Sequence, residues 1–120
     1  MHELSIATAI LESVQKEAAL REGAQMLTVG VRIGELAGVD PDSLTFGWEA
    51  ITKGTSFEQL KLKIKAIRWL NCCEKCQYTF GVVDYQTQCP TCGNLKTDLV
   101  SGDELEITYI EIEEPELAQV

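Results

Sequence analysis

Residues 72–76 read Cys72-Cys73-Glu74-Lys75-Cys76, and residues 89–93 read Cys89-Pro90-Thr91-Cys92-Gly93. Cys73 with Cys76, and Cys89 with Cys92, make two Cys-x2-Cys turns separated by 12 residues. Each turn presents two thiolates to one ion, so two turns together supply a tetrahedral clamp. The chain has a single histidine, His2, which disfavours a mixed Cys/His site and leaves four soft thiolates, a set suited to zinc or iron. With no coordination position left open, zinc there is structural and does not activate water. Two disulfides are the competing reading. It is the weaker one, because nothing at the amino terminus resembles a signal peptide and a reducing cytosol keeps such thiols free. Cys72 could replace Cys73 in a Cys-x3-Cys spacing, but the x2 turn matches the pair at Cys89 and Cys92, leaving Cys72 a spare thiol.

Amphipathic segments flank the cysteines. From Glu3 to Arg21, Leu4, Ala7, Ile10, Leu11, Val14 and Ala18 recur at steps of three and four, which predicts a helix with one buried stripe, ended at Gly23. Over 25–36, Leu27, Val29, Val31 and Ile33 alternate with Thr28, Gly30 and Arg32, the period of a half-buried strand. Asp40-Pro41 has the form of an N-cap followed by proline at the first helical position, opening a helix that carries Leu44, Trp48 and Ile51 inward before Gly54. Leu60, Leu62, Ile64 and Ala66 alternate with Lys61, Lys63 and Lys65, predicting a second strand whose lysine face is solvated. Glu104 to Glu113 predicts a third strand, its alternation broken at Ile110 and Ile112, and the tail from Glu114-Pro115 is expected to fray.

The expected fold class is therefore α+β: a small three-stranded sheet with two helices, plus an inserted four-cysteine zinc-ribbon-like minidomain. Residues 1–69 and 101–120 form the body and 70–100 the metal module. So short a module has no adequate core of its own, so its folding depends on metal, with Tyr78, Phe80 and Tyr85 expected to pack around the cluster. The 120 residues carry 10 basic and 19 acidic side chains, a net charge of −9. That balance opposes a nucleic-acid partner, because such affinity comes largely from Lys and Arg. No apolar run approaches the roughly 20 residues that span a bilayer, and the chain is expected to be cytoplasmic.

The lone histidine sits where it can chelate. A free α-amine on Met1, the amide and imidazole nitrogens of His2 and the amide nitrogen of Glu3 can lie in one plane around an ion, a donor set suited to Ni(II) or Cu(II) and poor for Mg(II) or Ca(II). Met1 is expected to be retained, since initiator methionine is removed ahead of small residues and histidine is not small.

Met1-His2-Glu3-Leu4-Ser5, Ile33-Gly34-Glu35-Leu36-Ala37-Gly38-Val39, the pair Cys73/Cys76, and Cys89-Pro90-Thr91-Cys92-Gly93 with Ser101-Gly102-Asp103-Glu104-Leu105 together resemble the HypA/HybF family of hydrogenase nickel-incorporation proteins. The resemblance runs from residue 1 to Glu113. It implies a metallochaperone that takes up Ni(2+) as cargo at Met1, His2 and Glu3 and holds a structural Zn(2+) on Cys73, Cys76, Cys89 and Cys92. It also implies delivery, with a nickel-handling GTPase, to the [NiFe]-hydrogenase large subunit precursor, with urease maturation factors as further partners. No nucleic acid or membrane enters the picture, and the protein is expected to be a monomer or weak dimer. The chain departs from the family pattern at Gln77, where glycine is common, at Asn94, where serine is common, and at Phe57-Glu58-Gln59, which lacks the usual glycine. No histidine accompanies the cysteines, so a pH switch based on one is not expected.

Two other readings compete: a rubredoxin-like electron carrier with one iron held by four cysteines, and a zinc-ribbon protein-interaction adaptor. Most of the chain lies outside the cluster and would have no role in the first, while the second predicts no specific nickel site. An enzyme is not expected, since there is no second histidine for a triad and no phosphate-cradling Gly-Lys-Ser/Thr loop.

Overall fold

The computed structural model describes residues 3–115. The chain forms two compact units: the first from the described residues of Met1–Val31, Val39–Lys65 and Glu106–Val120, the second from Arg32–Gly38 and Ala66–Leu105. In chain order the elements are α1 (Glu3–Leu20), β1 (Gln25–Gly34), a 3-10 turn (Glu35–Ala37), α2 (Pro41–Thr52), β2 (Lys61–Ile67), β3 (Leu70–Cys73), β4 (Thr79–Gly81), β5 (Thr97–Ser101) and β6 (Leu105–Glu113). They make two three-stranded sheets, ordered β2-β1-β6 and β4-β3-β5.

In the first unit the helical stripe is narrower than its sequence pattern. Ile6, Ala7, Ile10 and Val14 are buried on α1, whereas Leu4, at the amino-terminal end, is exposed. Helix α2 packs against α1 and buries Leu44, Gly47, Trp48 and Thr52; the expected Ile51 is only partly buried. The Thr52 hydroxyl escapes the cost of burial by donating to the Trp48 carbonyl one turn back, at 2.8 Å. Trp48 Nε1 donates to the Leu60 carbonyl at 3.1 Å, tying α2 to the start of β2. Each fully buried aliphatic side chain in this core contributes about 1.5–3 kcal/mol.

Helix α2 begins as expected, with Asp40 in an extended N-cap conformation and proline in the first turn. The Asp40 carboxylate accepts foremost from the Ser43 hydroxyl, at 2.7 Å, and this holds its pKa below the usual carboxylate value.

Strand β1 is central and is buried along nearly its whole length. Thr108 Oγ1 donates to the Gly30 carbonyl at 3.1 Å and Thr28 Oγ1 to Glu111 Oε1 at 3.1 Å, so β6 runs opposite to β1. The half-buried positions on β6 step from Ile107 to Ile110 and Ile112, matching the break in its sequence pattern. Strand β2 keeps Leu62 and Ile64 half-buried and its lysines exposed, but Ala66 is exposed and Ile67 half-buried.

Strand β1 stops at Gly34, two residues short of the predicted end, because the chain turns there into the 3-10 segment. Within the second unit, a Cβ on Gly34 would collide with the Gly102 carbonyl, and Leu36 N–H donates to that same carbonyl at 2.7 Å. Two motifs distant in sequence thus meet backbone to backbone, and only glycine at 34 permits it.

Candidate metal centre

The second unit is built around β3, which pairs antiparallel with β4 (Asn71 opposite Phe80) and with β5 (Cys73 opposite Thr97), with an irregularity between Leu70 and Asn71 on the β5 side. This sheet was not legible in the sequence. Asn71 is buried with both its side-chain oxygen and its nitrogen paired: Trp69 Nε1 donates to its Oδ1 at 2.9 Å, and its Nδ2 donates to Thr97 Oγ1 at 3.0 Å. Thr97 in turn donates to the Thr87 carbonyl at 2.6 Å. A buried amide costs little only when its groups are paired in this way.

The apolar core of this unit consists of Cys73, Phe80, Val82 and Cys89, with Trp69 packed against it. Of the three aromatics expected around the cluster, only Phe80 is buried. Tyr78 is half-exposed and stacks on Phe80 at 6.3 Å, and Tyr85 is exposed, with its ring edge-on to Trp69 at 5.6 Å. Trp69, which the sequence pattern did not single out, does the packing instead.

Two turns of identical backbone design carry the cysteines. Gln77 N–H donates to the Cys73 carbonyl at 3.0 Å and Gly93 N–H to the Cys89 carbonyl at 2.9 Å. Cys73 N–H donates to the Tyr78 carbonyl at 2.9 Å and Cys89 N–H to the Asn94 carbonyl at 3.0 Å. Each turn closes on a left-handed residue, Gln77 with φ 65° and Gly93 with φ 77°. That conformation favours glycine and marks Gln77 as locally strained.

All four sulfurs lie within 4.8 Å of one another. Cys73 Sγ stands 3.5 Å from Cys92 Sγ, and Cys76 Sγ 3.6 Å from Cys89 Sγ. A disulfide needs about 2.05 Å, whereas sulfurs about 2.3 Å from a central ion at tetrahedral angles stand about 3.8 Å apart. The sulfur cage therefore fits a single tetrahedral ion and excludes disulfide pairing as it stands. Cys73 and Cys89 are buried, Cys76 and Cys92 exposed. Cys72, one residue along β3 from Cys73, is half-buried and lies outside the cage; its thiol donates to the Cys73 carbonyl at 3.8 Å.

The charge distribution points the same way. The Cys73 sulfur accepts from the backbone N–H groups of Cys76 (3.5 Å) and Lys75 (3.4 Å) and from the Asn94 side-chain amide (3.7 Å). The Cys76 amide is foremost in bringing the Cys73 thiol down to about 6, against the opposing effect of burial. Cys89 is lowered likewise, foremost by the Cys92 backbone N–H. At Cys76 the Tyr78 backbone N–H favours the thiolate, but burial and the three neighbouring sulfurs outweigh it and push the thiol up to about 12. Four negative sulfurs cannot share this space without a cation. Asn94, a departure from the family pattern in sequence, thus has a physical role as a donor to a cage sulfur.

A family model described as hydrogenase/urease nickel incorporation, metallochaperone, hypA, matches residues 1–112. The chain belongs to the HypA family. It is 38% identical over 114 residues to the hydrogenase maturation factor HypA of Chlorobium limicola, covering 95% of this chain and 98% of that one. It is likewise 38% identical over 113 residues to the HypA of Geobacter sulfurreducens, covering 94% of this chain and all of the relative. The fold is shared with the solution structure of the Ni metallochaperone HypA from Helicobacter pylori, at TM-score 0.62 and 19% identity, covering 96% of this chain and all of that one. A second HypA solution structure aligns at TM-score 0.66 and 20% identity, over 96% of this chain and 98% of the other.

Of the nickel-site residues named from the sequence, Met1 and His2 lie outside the described residues. Glu3 is described, half-buried, as the first residue of α1. Among the described residues no helix is long and apolar enough to cross a membrane.

Proposed function

We propose that this HypA-family chain carries Ni(II) on the Met1 amine, the His2 amide and imidazole nitrogens and the Glu3 amide. It hands the ion, together with a nickel-handling GTPase, to the [NiFe]-hydrogenase large subunit precursor in the cytoplasm. Cys73, Cys76, Cys89 and Cys92 hold a structural zinc that folds the second unit and takes no chemical part. The division into a nickel-binding domain of residues 1–69 and 101–120 and a zinc-binding domain of 70–100 belongs to the same reading, as do urease maturation factors as further partners.

The observation that carries it is the family match, which spans residues 1–112 and so takes in Met1-His2-Glu3; Glu3 itself stands in the first described turn of α1. The first N–H groups of a helix have no intrahelical partner, which leaves the Glu3 amide available to an ion. A terminal, open donor set also suits a carrier, which must release its ion. The closed four-sulfur cage has the opposite character and suits retention.

The test is metal analysis and calorimetry on the untagged protein. The His2→Ala variant and amino-terminal acetylation each abolish tight nickel binding while zinc content and fold persist. Because binding displaces protons from the amine (ordinarily about 8) and imidazole (about 6.5), nickel affinity falls as the pH drops through that range. Nickel binding unchanged by His2→Ala, or equal at acidic and alkaline pH, overturns the assignment. Iron in place of zinc, with a reversible redox signal, would favour the rubredoxin-like reading of the cage.

A further inference from the structure

In a chain of net charge −9, four of the ten basic residues gather in one place. Lys61, Lys63 and Lys65 are exposed along β2, and Lys53 follows the end of α2. Among the described residues none of the four has a carboxylate within ion-pair distance; the ion pairs present all use arginine. Strand β2 is the edge of its sheet, with β1 as its one neighbour, so the backbone N–H and C=O groups of its outer side have no ladder partner. A groove of about 530 Å³ lies between α2 and this edge, lined by Trp48, Thr52 and Leu62 along with Lys53, Lys61 and Lys63; Glu49 and Glu58 also reach it.

From these features we infer that the β2 edge is a docking site for an acidic extended segment of a partner protein, which adds to the sheet as a further strand. Lysines at alternate positions stand about 6.6–6.8 Å apart on one face, the spacing at which alternate side chains of a paired strand present themselves. An incoming strand with Glu or Asp at every second position neutralises them across the ladder, since opposite charges on directly opposed residues stabilise a strand pair. Its remaining side chains point to the other face, toward the groove beside Trp48 and Leu62, and so should be apolar. Exposed lysines on an edge deter pairing with neutral or basic strands. An acidic strand is the one they admit, and four unpaired cations on an acidic molecule steer it to this edge.

The experiment titrates the full-length, metal-loaded protein with acetyl-Glu-Val-Glu-Ile-Glu-Val-Glu-amide while backbone amide shifts are followed by NMR. The expected result is a response confined to β2 and the facing end of α2. Affinity should weaken with added salt and fall by about tenfold or more in Lys61→Glu/Lys63→Glu, with Lys61→Gln/Lys63→Gln intermediate. A version of the peptide N-methylated at alternate residues, unable to donate to the edge, should lose binding, as should one with lysine in place of glutamate. Any of several outcomes overturns the inference: no shifts at β2, equal binding of the N-methylated peptide, or lysine-dependent binding of phosphatidylglycerol vesicles or a single-stranded oligonucleotide where the peptide fails. Lysine-dependent self-association in sedimentation, without peptide binding, assigns the edge to a second copy and overturns it equally.

Discussion

The two compact units of this chain solve the same problem with different materials. The first encloses Val14, Val29 and Leu44 completely, with Trp48 nearly so, and α1 and α2 close over them. The second, a shorter unit, has as its innermost side chains two cysteines, Phe80 and Val82, and leaves Val83, Tyr85, Leu95 and Val100 exposed. Hydrocarbon burial is proportional to apolar area removed from water, and the second unit removes too little. Under the proposed zinc assignment, a metal bound by four thiolates would supply the difference, since structural zinc contributes on the order of 10 kcal/mol or more to the folding of a small module. Stability should therefore be separable between the units.

The largest expected effect is metal removal. Strong chelation, or Cys89→Ser, should collapse the amide dispersion of residues in β3, β4 and β5 in NMR spectra while the residues of α1 and α2 keep theirs; simultaneous loss of both would break the comparison. Next is Leu44→Ala, which empties a fully buried position. It should cost about 2–5 kcal/mol in denaturant unfolding of the first unit, and the zinc content should not change.

Two smaller changes sharpen the contrast in the opposite direction. Gln77→Gly relieves a left-handed non-glycine residue and should stabilise the metal module by about 1 kcal/mol, read as slower metal loss to a chelator. In Gly47→Ala the new Cβ would meet Leu4 Cδ1 at 3.7 Å and Ala7 Cβ at 4.0 Å, both ordinary contacts. The gain of up to about 1 kcal/mol from helix propensity should appear in the first unit alone. If either change moved both units together, their independence would be lost.

The elements of the first unit were legible because each is long enough to complete several periods: α1 spans 18 residues and β1 ten. Their ends were less so. Strand β1 stops at Gly34 because the chain turns there into the 3-10 segment, where Leu36 N–H bonds the carbonyl of Gly102, a partner far away in sequence. Strands β3, β4 and β5 run four, three and five residues, too short for any period to declare itself. The buried member of β3 at Asn71 is polar and would read as a loop residue. Its burial makes sense only once Trp69 and Thr97 are seen to pair with it. The same holds for Asn94, whose amide reaches a sulfur across the turn.

Chemical identity was local information. The spacing of Cys73, Cys76, Cys89 and Cys92, the scarcity of histidine, and the run of motifs from Met1-His2-Glu3 onward determined the sulfur cage, the α+β class and the family, because thiolate pairs two residues apart and amphipathic periods are properties of short stretches of chain. The assembly of that cage was decided by tertiary structure. Two distant turns were brought to sulfur separations of 3.5 and 3.6 Å, Trp69 was recruited to cover it, and β2 was left as an edge with its lysines outward. Each of these depends on which segments meet in space, and chain connectivity does not specify that within any one stretch.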